Sequence, residues 1–147
     1  MPEAIQPRRA VPLPAAQAAE SQPKATILLV EDDVLVCSLL TEVLRRAGYE
    51  VLPCAHPDEG IAQSRGRVEA IDLLLTDVVM PGMNGREMAD RILQHRPGLR
   101  IVFMSGYTEH ILMDEGEIDT RFEYLQKPFT LNALTGKVAT VLAQQVH

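Results

Sequence analysis

From Ala25 onward, short aliphatic runs alternate with segments patterned for helices. No other feature of the sequence restricts the fold as much. "ATILLV" (25–30) is a β-rich apolar run. "VLVCSLLTEVLRRAG" (34–48) carries Val36, Leu39, Leu40, Val43 and Leu44 at helical spacing, with Arg45 and Arg46 in the last turn and Gly48 as the stop. "YEVLPC" (49–54) reads as a short strand, and "PDEGIAQSRGR" (57–67) as a weak helix weakened by Gly60. "IDLLLT" (71–76) is the third strand, followed by a helix in "GREMADRILQHR" (85–96) with Met88, Ile92 and Leu93 on one face, ended by Pro97-Gly98. "RIVFMS" (100–105) and "FEYLQ" (122–126) are the last strands, separated by a short, acidic helix candidate, "TEHILMDEG" (108–116). "TLNALTGKVATVLAQQV" (130–146) is the final helix, with Thr130 as N-cap. Five strands alternating with five helices predict parallel βαβ units. Right-handed crossovers then place helices on both faces of one α/β, doubly wound sheet.

Residues 1–24 differ. They hold five of the chain's ten prolines and six alanines, and Pro at this density forbids a long helix. We read them as a flexible Pro/Ala-rich linker or tail, and 25–147 as one domain. The apolar stretch after Arg8-Arg9 is short and twice broken by Pro, which rejects an export signal. At 147 residues the chain has room for one ordinary domain. No apolar run reaches the 18 or so residues that a membrane span needs. Cys37 and Cys54 show neither metal spacing nor a disulfide framework, which predicts two packed thiols and a cytoplasmic setting. The net charge of -6 argues against nucleic acid as a partner.

In such a sheet, functional groups gather at the carboxyl ends of the strands. Strand one ends in Glu31-Asp32-Asp33, strand three in Asp77, strand four in Ser105, and strand five in Lys127 followed by Pro128. Strand two ends in Cys54 with no such group, as an edge strand would. Two carboxylates ~4 Å apart repel by ~4 kcal/mol at an effective dielectric of ~20, so either one is protonated or a cation sits among them. An all-oxygen site with few side-chain ligands suits Mg²⁺, which keeps several waters. Carboxylates, a metal, an ammonium and a hydroxyl together describe a site for a phosphoryl group. No Gly-rich phosphate loop is present, so a nucleotide is not expected and one of the site's own atoms must receive the group. Asp77 is the candidate nucleophile. Asp33 is read first as the cap of the following helix and second as a third site carboxylate. Plainer readings exist: Asp77 and Ser105 as turn formers, and Tyr124 as an ordinary strand tyrosine. His56, His95, His110 and His147 show no ligand spacing.

"ILLVEDD", "LLLTDVVMPGMNG", "IVFMSG" and "YLQKPF", in this order and each at a strand end, resemble the receiver domain of two-component response regulators over about residues 25–146. The resemblance implies a flavodoxin-like sheet of order 2-1-3-4-5. Asp77 would be phosphorylated, and Glu31 and Asp32 would be the acidic pair, with Asp32 the more direct ligand of Mg²⁺. Asp77 and the backbone carbonyl of Val79 would complete the protein ligands. Ser105 would bond a phosphoryl oxygen and switch together with Tyr124. Lys127 would pair with the phosphoryl group, and the Lys127–Pro128 bond is expected to be cis. Partners would be a histidine kinase or a histidine phosphotransfer protein, with no direct membrane contact and a monomer as the expected state. Two departures stand out: Cys37 takes a place where a basic residue is frequent, and the helix after strand four is acidic and contains Gly116.

The competing functions are an aspartyl-nucleophile phosphatase and a flavin-binding module of the same fold. The first wants an acid two residues after the nucleophile, where this chain has Val79. The second would set Glu31-Asp32-Asp33 against a flavin phosphate. For the parent protein, "MSGYTE" and "FEYLQKPFT" look similar to receivers at the ends of hybrid kinases, and this resemblance implies the C-terminal receiver of a hybrid sensor histidine kinase over a free-standing regulator. On the first reading the domain belongs to a transferase and is itself the acceptor.

Overall fold

A computed structural model of the chain describes residues 24–67, 69–106 and 122–144. β1 (Thr26–Val30) is followed by α1 (Val34–Arg46), β2 (Glu50–Cys54), α2 (Pro57–Gly66), β3 (Leu73–Asp77), α3 (Gly85–Leu93), β4 (Arg100–Ser105), β5 (Phe122–Gln126) and α4 (Leu131–Ala143). The strands form one sheet in the order β2-β1-β3-β4-β5, and every pairing is parallel. The expected sheet and strand order are therefore found, with four helices among the described residues. The fifth expected helix, 108–116, lies outside them, as does the tail up to residue 23.

Successive side chains of a strand point to opposite faces. Ile27, Leu29, Leu73, Leu75, Val102 and Met104 accordingly pack with Leu40, Leu44, Leu134 and Val138 of α1 and α4. Leu28, Val30, Leu74, Ile101 and Phe103 pack with Ile61, Met88 and Ile92 of α2 and α3. Both faces are covered, so the central strands are apolar throughout. Truncating a fully buried residue such as Leu75 to Ala would cost about 2–5 kcal/mol.

Local differences from the sequence reading have physical causes. The third strand begins at Leu73; Asp72 just before it donates its N–H to Thr26 O at 2.9 Å and accepts from Thr26 N through its side chain at 2.8 Å. α3 stops at Leu93, three residues early. Leu39 is half exposed, and Val34 and Leu35 point outward, so the apolar face of α1 is narrower than its pattern suggests. Gly60 does not spoil α2: a Cβ there would lie 2.9 Å from Val30 Cγ2 and 3.1 Å from Met88 Sδ, and its absence lets α2 sit close to β1.

The outer edge of β2 is guarded. Glu50 N and Cys54 O bond on the β1 side, so the alternate residues Val51 and Pro53 face away. Arg45 donates to Val51 O at 3.1 Å, and Pro53 has no N–H to offer. Cys37 and Cys54 are free thiols, and burial pushes Cys54 up to about 12. Among the described residues, no helix is long and apolar enough to cross a membrane.

Candidate functional site

The carboxyl ends of β1 and β3 lie side by side, because Val30 is in register with Thr76. Glu31 follows β1 and Asp77 closes β3; they are 2% and 4% exposed. Exposed Asp32 joins them, and one oxygen from each of the three carboxylates lies within 4.8 Å of the others. Asp33 is not part of this group. It caps α1, accepting from Leu35 N at 3.0 Å and Val36 N at 3.2 Å, while its own N–H donates to Glu31 Oε2 at 3.0 Å.

The positive charge comes from the end of β5. Lys127 N donates to Ser105 O at 2.7 Å, which fixes that end against β4. Lys127 Nζ then reaches Asp77 Oδ1 at 2.6 Å and Glu31 Oε1 at 3.6 Å. These are ion pairs without aligned hydrogen bonds, since among the described residues neither Asp77 Oδ1 nor Glu31 Oε1 receives one of ordinary geometry. The Lys127–Pro128 bond is cis. Ser105 closes β4, buried, and its Oγ has no hydrogen-bond partner among the described residues. Tyr124, on β5, is half-buried and stacks on Phe103 with ring centroids 5.7 Å apart.

The electrostatics follow from burial and crowding. Burial, then the neighbouring Asp77, raises Glu31 to about 7, against the opposing pull of the Asp33 N–H and, less, of Lys127. Burial alone would lower Lys127, but Asp77 and then Glu31 outweigh it and hold the ammonium above its usual range. Three carboxyl groups share a single ammonium, so the cluster holds more acid than cation. Buried acceptors without donors are uncommon and ask for a partner. The donor set is oxygen only, compact and open to solvent on the Asp32 side, which fits Mg²⁺ with several retained waters.

After Asp77 the chain turns back on itself. Val78 N donates to Met104 O at 3.1 Å, Gly85 N to Val78 O at 2.6 Å, and Asn84 caps α3 by accepting from Glu87 N at 2.8 Å. Val79 stands on the outside of this turn, 61% exposed. The sequence reading named Glu31, Asp32, Asp77 and Lys127, and the fold brings these four together. It assigned no role to Gly85, which opens α3 directly after this turn.

The chain belongs to the response regulator receiver domain family, whose model matches residues 27–139. It is 38% identical over 117 residues to the response regulator receiver protein CpdR of Brucella abortus, covering 79% of this chain and 95% of that protein. It is 38% identical over 121 residues to the DNA-binding transcriptional regulator NtrC of Azospirillum brasilense, covering 80% of this chain but only 24% of that protein. With the sensor kinase CckA of Brucella abortus it shares 30% identity over 99% of this chain and 16% of the kinase. The crystal structure of the receiver domain from the hybrid histidine kinase CckA superposes with a TM-score of 0.68 at 30% identity, covering 80% of this chain and 98% of that one. This is a receiver domain of two-component signalling.

Proposed function

We propose that the domain accepts a phosphoryl group on Asp77 from a histidine kinase or histidine phosphotransfer protein, in a step that depends on Mg²⁺. The observation that carries the reading is the contact of Lys127 Nζ with Asp77 Oδ1 inside a cluster of buried, under-partnered carboxylate oxygens. Glu31, Asp32, Asp77 and the Val79 carbonyl would hold the ion, with Asp32 the most direct ligand. When bound, it neutralises the carboxylates and the charge that develops on the transferring group. An Asp77 carboxylate oxygen forms the new O–P bond as the donor's N–P bond breaks, and the freed imidazole takes its proton from solvent. Lys127 offsets negative charge on the equatorial oxygens, and Ser105 Oγ supplies a donor to one of them.

The exposed large apolar residues support a protein as donor. Val34, Leu35, Leu39, Val79 and Leu131 are the ones that stand exposed among the described residues. Four of them lie within a few residues of Asp32, Asp77 or Lys127, at the same end of the sheet. Exposed apolar groups gathered at one end of a domain mark a contact surface.

For the parent protein, we favour the receiver of a hybrid sensor histidine kinase. The alignment with the sensor kinase CckA covers 99% of this chain, whereas that with CpdR covers 79%. The linker reading of residues 1–24 and the domain bounds 25–147 go with this proposal. The free thiols support a reducing, cytoplasmic location.

The test is incubation with a small acyl phosphate and Mg²⁺, locating the modified residue by mass spectrometry. Asp77 should carry the phosphate. Equal labelling of Asp77→Asn, or labelling without Mg²⁺, refutes the reading. Rapid turnover of phosphomonoesters would favour the phosphatase alternative.

A further inference from the structure

We infer that Gly85 is a positioning residue for Asp77: with no side chain, it lets the first turn of α3 rest directly on the Asp77 backbone and so fixes the carboxylate at the end of β3. The inference rests on the reading of Asp77 as phosphoacceptor. A Cβ on Gly85 would lie 2.0 Å from Asp77 O, 3.0 Å from Asp77 C and 3.2 Å from Val78 Cα. All three atoms are backbone, so none can step aside as the tip of a flexible side chain does. The requirement is one of distance and not of torsion angle, since among the described glycines only Gly48 and Gly82 have positive φ.

Hydrogen bonds hold both sides of this contact. Gly85 N donates to Val78 O at 2.6 Å, Val78 N donates to Met104 O at 3.1 Å, and Thr76 Oγ1 donates to Asp77 O at 3.0 Å. Thr76 is fully buried within β3, and Asn84 closes the first turn of α3. The Asp77 carbonyl is thereby bracketed by its own strand and by the start of the next helix. The carboxylate hangs from the same residue on two rotatable bonds, so moving the carbonyl moves the oxygen that must face the phosphorus. At Gly60 the nearest atom is a side-chain carbon at 2.9 Å, and a Cβ on Gly66 would meet nothing within 4 Å.

Adding one methyl group at Gly85 forces either Asp77 or α3 to retreat by about 1 Å, a misplacement able to slow a well-aligned reaction about 100-fold. The experiment compares the parent, Gly85→Ala and the control Gly66→Ala with a small acyl phosphate and Mg²⁺. It reads the rate constant at saturating donor, the fraction of molecules labelled, and the amide spectrum of the metal-free protein. Gly85→Ala should lower the rate constant by about 10- to 100-fold while most molecules still become labelled. The half-saturating donor concentration should stay within a few-fold of the parent value, and the Asp77 and Val78 amides should shift without metal.

A purely structural glycine would instead lower the labelled fraction and leave the rate constant of the folded molecules alone, and that result overturns the inference. If Gly85→Ala does not fold, Asn84→Ala loosens the same turn without adding an atom. It should slow phosphorylation at least about threefold and shift the same amides; a rate equal to the parent's overturns the inference. A parent chain that takes no phosphate overturns the phosphoacceptor reading and this inference with it. A parent that does, matched by Gly85→Ala, overturns this inference alone.

Discussion

Lys127 Nζ lies 2.6 Å from Asp77 Oδ1, although the two residues come from strands that are not neighbours in the sheet. The lysine spans β4 to reach the carboxylate, and its backbone is tied to Ser105 on the way. In the metal-free protein this contact partly balances a cluster that would otherwise repel itself.

Replacing Lys127 with Met should separate its two roles. Metal-free stability should fall by on the order of 1 kcal/mol, a value discounted for an ammonium that is 38% exposed. Mg²⁺ should bind more tightly once a competing cation is gone. Phosphorylation should slow by ~100-fold, as for loss of one group that stabilises a developing oxyanion. Denaturant unfolding, metal titration and labelling kinetics check the three effects; faster labelling in the variant would contradict the assigned role.

The metal-free protein should lose stability as pH rises from about 4.5 through 7. Glu31 is raised from 4.5 to about 7 in the fold, chiefly by burial. Between those values the folded state binds the proton and the unfolded state does not, so stability is greatest below the window and declines across it. Above it, Mg²⁺ at a hundredfold excess over its dissociation constant should restore roughly 2.7 kcal/mol. Asp32→Asn should raise metal-free stability and blunt the Mg²⁺ effect. Melting curves at pH 5 and pH 8, with and without the ion, decide the matter, and a parent protein indifferent to Mg²⁺ would mean the cluster holds no metal.

Phosphorylation should be felt at Tyr124. Ser105 Oγ is buried with no hydrogen-bond partner among the described residues, and a phosphoryl oxygen on Asp77 gives it one to move toward. Tyr124 stacks on Phe103, which belongs to the same strand as Ser105. A packed core answers such a shift by changing between discrete arrangements. Amide spectra with and without a phosphoryl mimic should move at Ser105 and Tyr124; changes confined to the turn after Asp77 would argue against this switch.

The phosphorylated state should be long-lived, because exposed Val79 offers no hydrogen bond to hold an attacking water. By the resemblance to receiver domains, Val79, two residues after Asp77, and Tyr107, two after Ser105, would flank that water, and the double variant Val79→Asn, Tyr107→Glu supplies polar groups at both; Tyr107 lies outside the described residues. Loss of phosphate should quicken by about tenfold, equivalent to about 1.4 kcal/mol in the barrier. Decay followed after removal of the donor tests this, and an unchanged or slower rate would remove these residues from control of the lifetime.

The strand ends were readable because each pairs a β-rich run with a polar residue that burial would not otherwise tolerate. Asp33 was readable as a cap because its side chain serves its own helix, a local matter. Leu39 was misplaced because helical spacing marks a stripe but not how much of it a neighbour covers, and Leu39 is left half exposed. Gly60 was taken as a flaw in α2 because the atoms that require it, in Val30 and Met88, are remote in sequence. Gly85 stayed hidden for a related reason: its constraint is a closeness between backbones, which no side-chain pattern encodes.

The guarded edge of β2 limits how copies of this chain can meet. An extended segment approaching that edge would find the Val51 carbonyl already engaged by Arg45 and no donor at Pro53. Continuing the ladder there would leave peptide groups unpaired, so the sheet ends where its own chain ends it. Two molecules brought together by a shared signalling scaffold would slide past one another along β2 without fusing into a longer sheet.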